Sequence, residues 1–134
     1  MTQRILVVDD DGDVRELICR MLEQGGYRAV PANGGRQALN EIAKLDLDLV
    51  ITDVVMPDVD GFEVLLKLRN LAPGTGALVV SGGGRVGPDI YLETARRLGA
   101  QAVLRKPFTR AEMLEAVRQA LSRRTPPNPE RQEP

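Results

Sequence analysis

One stretch decides the fold of this chain: Leu49-Val50-Ile51-Thr52-Asp53-Val54-Val55-Met56-Pro57. Its first residues are apolar or β-branched, as in a strand that is buried on both faces of a parallel sheet. Proline lacks the backbone N–H group that a central strand needs, so the strand must end before Pro57. We therefore expect Asp53 at the carboxyl end of a buried strand, where open α/β sheets place their functional groups.

Short apolar strands and amphipathic helices alternate along the whole chain. The predicted strands cover residues 4–8, 27–31, 49–53, 77–80 and 102–105. A segment with apolar residues at helical spacing follows each of them. Five strands that alternate with five helices predict an α/β fold, in which a parallel sheet has helices on both faces because the crossovers are right-handed.

Short polar side chains mark the predicted helix starts, because they can accept hydrogen bonds from the first backbone N–H groups. The expected caps are Asp13 with Glu16, Asn33, Asp60 with Glu63, and Thr109 with Glu112. The apolar residues expected to face the core include Leu17, Ala43 and Leu66. These assignments predict which side of each helix packs on the sheet.

Length and charge restrict the possible function classes. The chain has 134 residues, of which 43% are hydrophobic, enough for the core of one domain. Its 18 basic and 19 acidic residues nearly cancel, so no overall field attracts nucleic acid or an anionic membrane. No apolar run approaches the roughly 20 residues of a spanning helix, and no secretory signal is evident. We therefore expect a cytoplasmic protein that binds neither nucleic acid nor membrane directly.

The composition changes near the C-terminus. Residues 123–134 are rich in proline and charge and contain too few apolar residues to form a core. We expect a folded domain at residues 1–122, a disordered tail at 123–134, and no fused output domain.

The chain contains no histidine and a single cysteine, Cys19. The absence of histidine removes histidine metal ligands, histidine-based catalytic triads and phosphohistidine formation on this chain. Cys19 cannot form an intramolecular disulfide and is expected to act as a small packing residue.

Charged and polar residues lie at the ends of four of the five predicted strands: Asp9 and Asp10, Asp53, Ser81, and Lys106. The carboxyl ends of parallel strands meet at one edge of a sheet, so these side chains are expected close together. Three adjacent carboxylates raise one another's pKa and need a neutralising partner. Oxygen ligands without cysteine or histidine favour a hard divalent cation such as Mg²⁺.

This combination of charges suits phosphoryl transfer. A carboxylate next to Mg²⁺ and an ammonium group can attack phosphorus, because both cations stabilise charge on the equatorial oxygens of the transition state. Asp53 is the expected nucleophile and Lys106 the fixed positive charge. Ser81 can donate a hydrogen bond to the phosphoryl group once it is attached, and the movement of its hydroxyl would couple phosphorylation to the loop that follows.

These residues resemble a known family, the receiver domains of two-component response regulators. The resemblance covers about residues 4–121 and rests on the acidic pair Asp9-Asp10, Asp53 with Met56-Pro57 and Gly61, Ser81, and Lys106-Pro107-Phe108. It implies a flavodoxin-like sheet with the strand order 2-1-3-4-5, an order of which response regulators are themselves an example. The chain resembles the stand-alone type of receiver.

The resemblance also implies roles for individual residues. Asp10 and Asp53 would ligate Mg²⁺ directly, the backbone carbonyl of Val55 would be a third protein ligand, and Asp9 would act mostly through water. A histidine kinase or a phosphotransfer protein would phosphorylate Asp53. The absence of histidine agrees, because the phosphodonor must then be another molecule.

Phosphorylation would shift the population between two arrangements of the fourth helix, fifth strand and fifth helix. The output would be an unidentified downstream protein or a change in self-association, from a monomer to a phosphorylation-dependent homodimer. On this prediction the chain is a phosphoacceptor that catalyses only its own phosphorylation and dephosphorylation.

The sequence departs from the family pattern at several positions. Receivers often carry an aromatic residue on strand 5 that moves with the switch hydroxyl, and here that position is Val103. Val55 and Gly83 offer no polar side chain to a water molecule that attacks the phosphoaspartate, so we expect no side-chain help with hydrolysis. The glycine-rich segment at residues 82–87 is unusually long; solvent-exposed flexibility is its simplest interpretation.

Two alternative functions remain. A haloacid dehalogenase-type phosphohydrolase uses an Asp-x-Asp pair after strand 1, which Asp9 and Asp11 match superficially, but Asp13 stands where that family has threonine or valine. The second alternative is a receiver-shaped adaptor that binds partners regardless of phosphorylation, which the departure at Val103 allows.

Overall fold

In this computed structural model, residues 2–82 and 88–124 are described. The strands are β1 (Arg4–Val8), β2 (Arg28–Ala32), β3 (Leu49–Asp53), β4 (Gly76–Ser81) and β5 (Ala102–Arg105). The helices are α1 (Gly12–Gln24), α2 (Gly35–Lys44), α3 (Gly61–Leu71), α4 (Pro88–Arg97) and α5 (Arg110–Arg123). The predicted alternation of strands and helices is confirmed.

The five strands form one parallel sheet in the order β2-β1-β3-β4-β5. This is the predicted order 2-1-3-4-5. The register pairs Val8 with Thr52 across β1 and β3, and Asp53 with Val80 across β3 and β4. The strands therefore end together, and the residues that follow β1 and β4 lie next to the end of β3.

Hydrophobic clusters fill both faces of the sheet, which confirms the predicted helix layers. One cluster packs under α2, α3 and α4 and includes Val50, and the other packs under α1 and α5 and includes Leu49 and Ile51. All three of these β3 side chains are at most 1% exposed. Burying an aliphatic side chain of this size contributes about 1.5–3 kcal/mol, so the core holds β3 firmly and with it Asp53.

Two predicted caps are confirmed. The Asp60 side chain accepts a hydrogen bond from the Glu63 N–H group at the start of α3. Thr109 and Glu112 form a reciprocal capping box at the start of α5. Both helices therefore begin where the sequence predicts, directly after the loops at the functional edge of the sheet.

Two other predicted caps are wrong. Asp11, not Asp13, caps α1 and accepts from the N–H groups of Asp13 and Val14, because the helix begins two residues earlier than expected. Asn33 does not cap α2; the cap position is Gly34, which has no side chain to accept a hydrogen bond.

Some residues predicted to face the core are exposed instead. Leu17 is 48% and Leu66 is 47% exposed, and Ala43 is also exposed. In α3 the buried stripe consists of Gly61, Val64, Leu65 and Leu68, a phase that leaves Leu66 on the outside. Consecutive apolar residues do not reveal which of them faces inward.

The predicted domain boundary at residue 122 stays a prediction, and it falls one residue before the end of α5. Helix α5 includes Arg123, and the Arg124 guanidinium lies 3.0 Å from a carboxylate oxygen of Asp48. The remaining part of the predicted tail, residues 125–134, lies outside the described residues, as do residues 83–87 of the glycine-rich segment.

Within residues 2–82 and 88–124, no helix combines the length and the apolar character needed to cross a membrane.

Candidate functional site

Three carboxylates meet at the carboxyl edge of the sheet. Oxygen atoms of Asp9, Asp10 and Asp53 lie within 4.8 Å of one another. The register explains the meeting, because Val8 pairs with Thr52 and the residue that follows each of them in the chain is an aspartate. The predicted convergence of the three acids is therefore present in the structure.

Lys106 supplies a positive charge to this cluster. Its Nζ atom donates to Oδ2 of Asp53 at 3.0 Å and to Oδ2 of Asp9 at 3.2 Å. Its backbone N–H group donates to the carbonyl oxygen of Ser81 at 2.9 Å, which ties the segment after β5 to the end of β4. The ammonium group is therefore held against two of the three carboxylates.

Burial perturbs the ionisation of both partners of this ion pair. Burial raises the pKa of Asp9, against the opposing effects of the Asp11 N–H group and Lys106. Burial alone would lower the pKa of Lys106, but its hydrogen bond and attraction to Asp53, together with Asp9, raise it overall. Lys106 therefore stays protonated, and an additional cation near Asp9 would favour the ionised form that burial disfavours.

Ser81 and Val55 lie at the same edge. Ser81 is the buried last residue of β4, one residue beyond the Val80 that pairs with Asp53. Val55 lies two residues after Asp53, in the loop between β3 and α3, and the residue is 64% exposed. All the residues predicted for the site are therefore grouped around the end of β3.

Three structural contacts around the site were not predicted from the sequence. Arg15 of α1 donates to the backbone carbonyl of Asp9 at 2.7 Å. Gly61 packs so closely on β3 that a Cβ atom there would lie 2.2 Å from the carbonyl oxygen of Asp53. Asp58 accepts hydrogen bonds from the first N–H groups of α2. Of these, only Gly61 had a signal in the sequence, its place in the family motif.

The donor set fits a hard divalent cation. The three clustered acids provide oxygen ligands only, and the chain has no histidine to compete for the metal. Their negative charge exceeds the single positive charge of Lys106, and burial already disfavours ionised Asp9. Oxygen donors with excess negative charge are what Mg²⁺ requires.

Comparison with known proteins gives a consistent result. The family model described as "Response regulator receiver domain" matches residues 5–118. "Response regulator MprA" of Mycolicibacterium vanbaalenii is 41% identical over 126 residues, which are 94% of this chain and 53% of that protein. The chain thus spans about half the length of the curated relatives it matches.

Solved structures share the fold at lower identity. A CheY-like receiver domain protein from Methanospirillum hungatei is 29% identical, with a TM-score of 0.81 and coverage of 91% of this chain and 95% of that one. A receiver domain from Clostridium thermocellum is 28% identical, with a TM-score of 0.82 and coverage of 90% and 95%. The matched family, the strand order and the acidic cluster agree, and the chain belongs to the response regulator receiver domains of two-component systems.

Proposed function

We propose that this chain is a phosphorylation-controlled interaction module whose phosphoacceptor is Asp53. The supporting observation is the contact of the Lys106 ammonium group with both Asp53 and Asp9 inside a cluster of three carboxylates. A histidine kinase or a phosphotransfer protein would supply the phosphoryl group. The chain would catalyse only its own phosphorylation and dephosphorylation.

The proposed transfer is a simple displacement. A carboxylate oxygen of Asp53 forms a bond to phosphorus while the bond from phosphorus to the donor's imidazole nitrogen breaks, and that nitrogen keeps the electron pair. Lys106 would donate a hydrogen bond to a phosphoryl oxygen during the transfer, because its Nζ atom already contacts Asp53. Nothing is oxidised or reduced, so the chain's contribution is position and charge.

Asp10, Asp53 and the Val55 carbonyl would hold Mg²⁺, with Asp9 acting mostly through water. When bound, the ion would neutralise charge on the phosphoryl oxygens during transfer. The buried Ser81 hydroxyl would then donate to a phosphoryl oxygen and draw the end of β4 toward the phosphate.

The output would be a change in protein interactions. Ser81 lies on β4, against which α4 and β5 pack, so a movement there reaches the surface formed by α4, β5 and α5. Phosphorylation would favour one arrangement of this surface over another. The partner that binds the phosphorylated form would be a downstream protein, or a second copy of the chain in a phosphorylation-dependent homodimer. The stand-alone arrangement predicted from the sequence stays a prediction.

The test is intact-mass analysis after incubation with a small acyl phosphate and Mg²⁺. We expect one phosphate adduct on the native chain and none on Asp53→Asn or in the presence of excess chelator. An adduct that persists on Asp53→Asn, or no adduct on the native chain with Mg²⁺ present, would overturn the proposal.

A phosphorylation-independent adaptor is the second candidate, because Val103 replaces the aromatic residue expected on β5. Val103 is half-buried against the cluster under α4, as an aliphatic packing residue would be. Equal partner affinity of the phosphorylated chain and Asp53→Asn would favour the adaptor. Membership of the receiver family leaves the haloacid dehalogenase alternative without support.

A further inference from the structure

Helix α2 receives its N-terminal cap from another part of the chain. Its own cap residue, Gly34, has no side chain. The Asp58 carboxylate takes that place, with Oδ1 accepting from the Gly35 N–H group at 3.2 Å and Oδ2 from the Arg36 N–H group at 3.0 Å. Asp58 belongs to the loop between β3 and α3, so two separate segments are joined at this point.

The two segments also pack closely at the backbone. A Cβ atom at Gly35 would lie 2.3 Å from the carbonyl oxygen of Val59, and one at Gly34 would lie 3.0 Å from the Asp58 carboxylate. Any larger residue at Gly35 would push the loop away from α2. The paired glycines and Asp58 therefore form one fitted joint.

A second joint holds the other end of the same loop. The Gly61 N–H group donates to the Val54 carbonyl at 2.8 Å, and the missing Gly61 side chain lets α3 begin directly against the Asp53 carbonyl. Val55 lies between the two joints, and the residue is 64% exposed, so it has little packing of its own. The backbone position of Val55 therefore depends on what anchors the loop.

We propose that Asp58 is a positioning residue for the phosphoacceptor site: it fastens the loop of residues 54–60 to α2 and thereby places the Val55 carbonyl for the metal ion. This inference rests on the proposed function. Mg²⁺ requires nearly ideal octahedral geometry, so a carbonyl that must first be ordered binds it less well. Groups that orient a metal ligand without touching the metal typically change affinity at least about tenfold when they are removed.

The test separates positioning from simple helix stability. Asp58→Ala removes both the cap and the tether. The double variant Gly34→Ser/Asp58→Ala restores a cap at the N-terminus of α2 but leaves the loop without its contact to the helix. Serine fits at residue 34 because the backbone there is extended. The Asp58 carboxylate, which a side chain at residue 34 would otherwise contact, is absent from this variant. Asp58→Asn keeps an acceptor oxygen at the joint.

Magnesium affinity is measured by calorimetric titration, and unfolding by urea is measured without metal. We expect about tenfold weaker Mg²⁺ binding in Asp58→Ala, the same loss in the double variant despite its recovered stability, and native affinity within about threefold in Asp58→Asn. We also expect faster amide hydrogen exchange at residues 54–58 of the metal-free double variant.

Each result has a definite meaning. Native Mg²⁺ affinity in Asp58→Ala, or recovery of affinity together with stability in the double variant, would overturn the positioning role and leave only a helix cap. Failure of the native chain itself to bind Mg²⁺ would overturn the proposed function as well. The two failures are therefore distinguishable.

Discussion

The Nζ atom of Lys106 lies 3.0 Å from Oδ2 of Asp53, although 53 positions separate the two residues in the sequence. From this contact we expect Lys106→Met to lower the rate of phosphorylation and to raise the affinity for Mg²⁺. Phosphorylation by an acyl phosphate should slow on the order of a hundredfold, because a charge aimed at the phosphoryl oxygens is lost. Mg²⁺ should bind several-fold more tightly, because the carboxylates lose a competing cation.

The control for this prediction is Lys67→Met, which removes an exposed lysine of α3. It changes the net charge by the same amount but should alter neither quantity. Adduct formation is followed by intact mass and Mg²⁺ binding by titration. Weaker Mg²⁺ binding in Lys106→Met would show that Lys106 supports the metal site instead of competing with it.

Removing the metal should lower the stability of the chain. A ligand at a hundred times its dissociation constant stabilises the folded state by about 2.7 kcal/mol, so chelation should lower the melting temperature by several degrees. Asp10→Asn should abolish this response because it removes one of the three clustered acids. Asp13→Asn, in the first turn of α1, is the matched control and should keep it. A full response in Asp10→Asn would remove Asp10 from the proposed ligand set.

Most of the site followed from the sequence because it depends on one simple rule. Residues after parallel strands meet at one edge, so Asp9, Asp53 and Lys106 were predictable once the strands were identified. The Asp58 cap was not, because its partners lie 22 and 23 positions away and no periodicity connects them. The exposure of Leu66 was also missed, because the phase of α3 is set by tertiary packing.

Gly61→Ala should damage both stability and the site. The added methyl group would lie 2.2 Å from the Asp53 carbonyl oxygen, so α3 or the end of β3 must move. We expect a loss of about 1–3 kcal/mol in the free energy of unfolding by urea, together with weaker Mg²⁺ binding. Gly12→Ala is the control, because its methyl group would lie 3.4 Å from the nearest atom, the end of the Arg15 side chain. Native stability in Gly61→Ala would show that the two segments separate at little cost.

The Asp58 cap should weaken in acid. Hydrogen bonds from the backbone N–H groups of Arg36, Val59 and Gly35 lower the pKa of Asp58 below its ordinary value of 3.8. A carboxyl with a depressed folded-state pKa stabilises the fold above its unfolded value, and this contribution is lost as the pH falls through the folded value.

The stability difference between the native chain and Asp58→Ala should therefore be about 1 kcal/mol at neutral pH and shrink below pH 3.8. The measurement is urea unfolding at a series of pH values. Asp58→Asn cannot titrate, so its difference from Asp58→Ala should stay constant over the same range. A native difference that is equally constant would contradict an ionic cap.

The exposed side chain of Val55 predicts a long-lived phosphoaspartate. Val55 lies two residues after Asp53 and presents only methyl groups to solvent, so it offers no hydrogen bond to the water that attacks phosphorus. Val55→Asn supplies an amide at that position and should shorten the lifetime of the adduct several-fold by orienting the water. Val55→Ala removes bulk without adding polarity and should leave the lifetime close to the native value. Decay of the adduct, followed by intact mass after the phosphodonor is removed, measures all three lifetimes. Equal lifetimes in the native chain and Val55→Asn would mean that the attacking water is positioned elsewhere in the site.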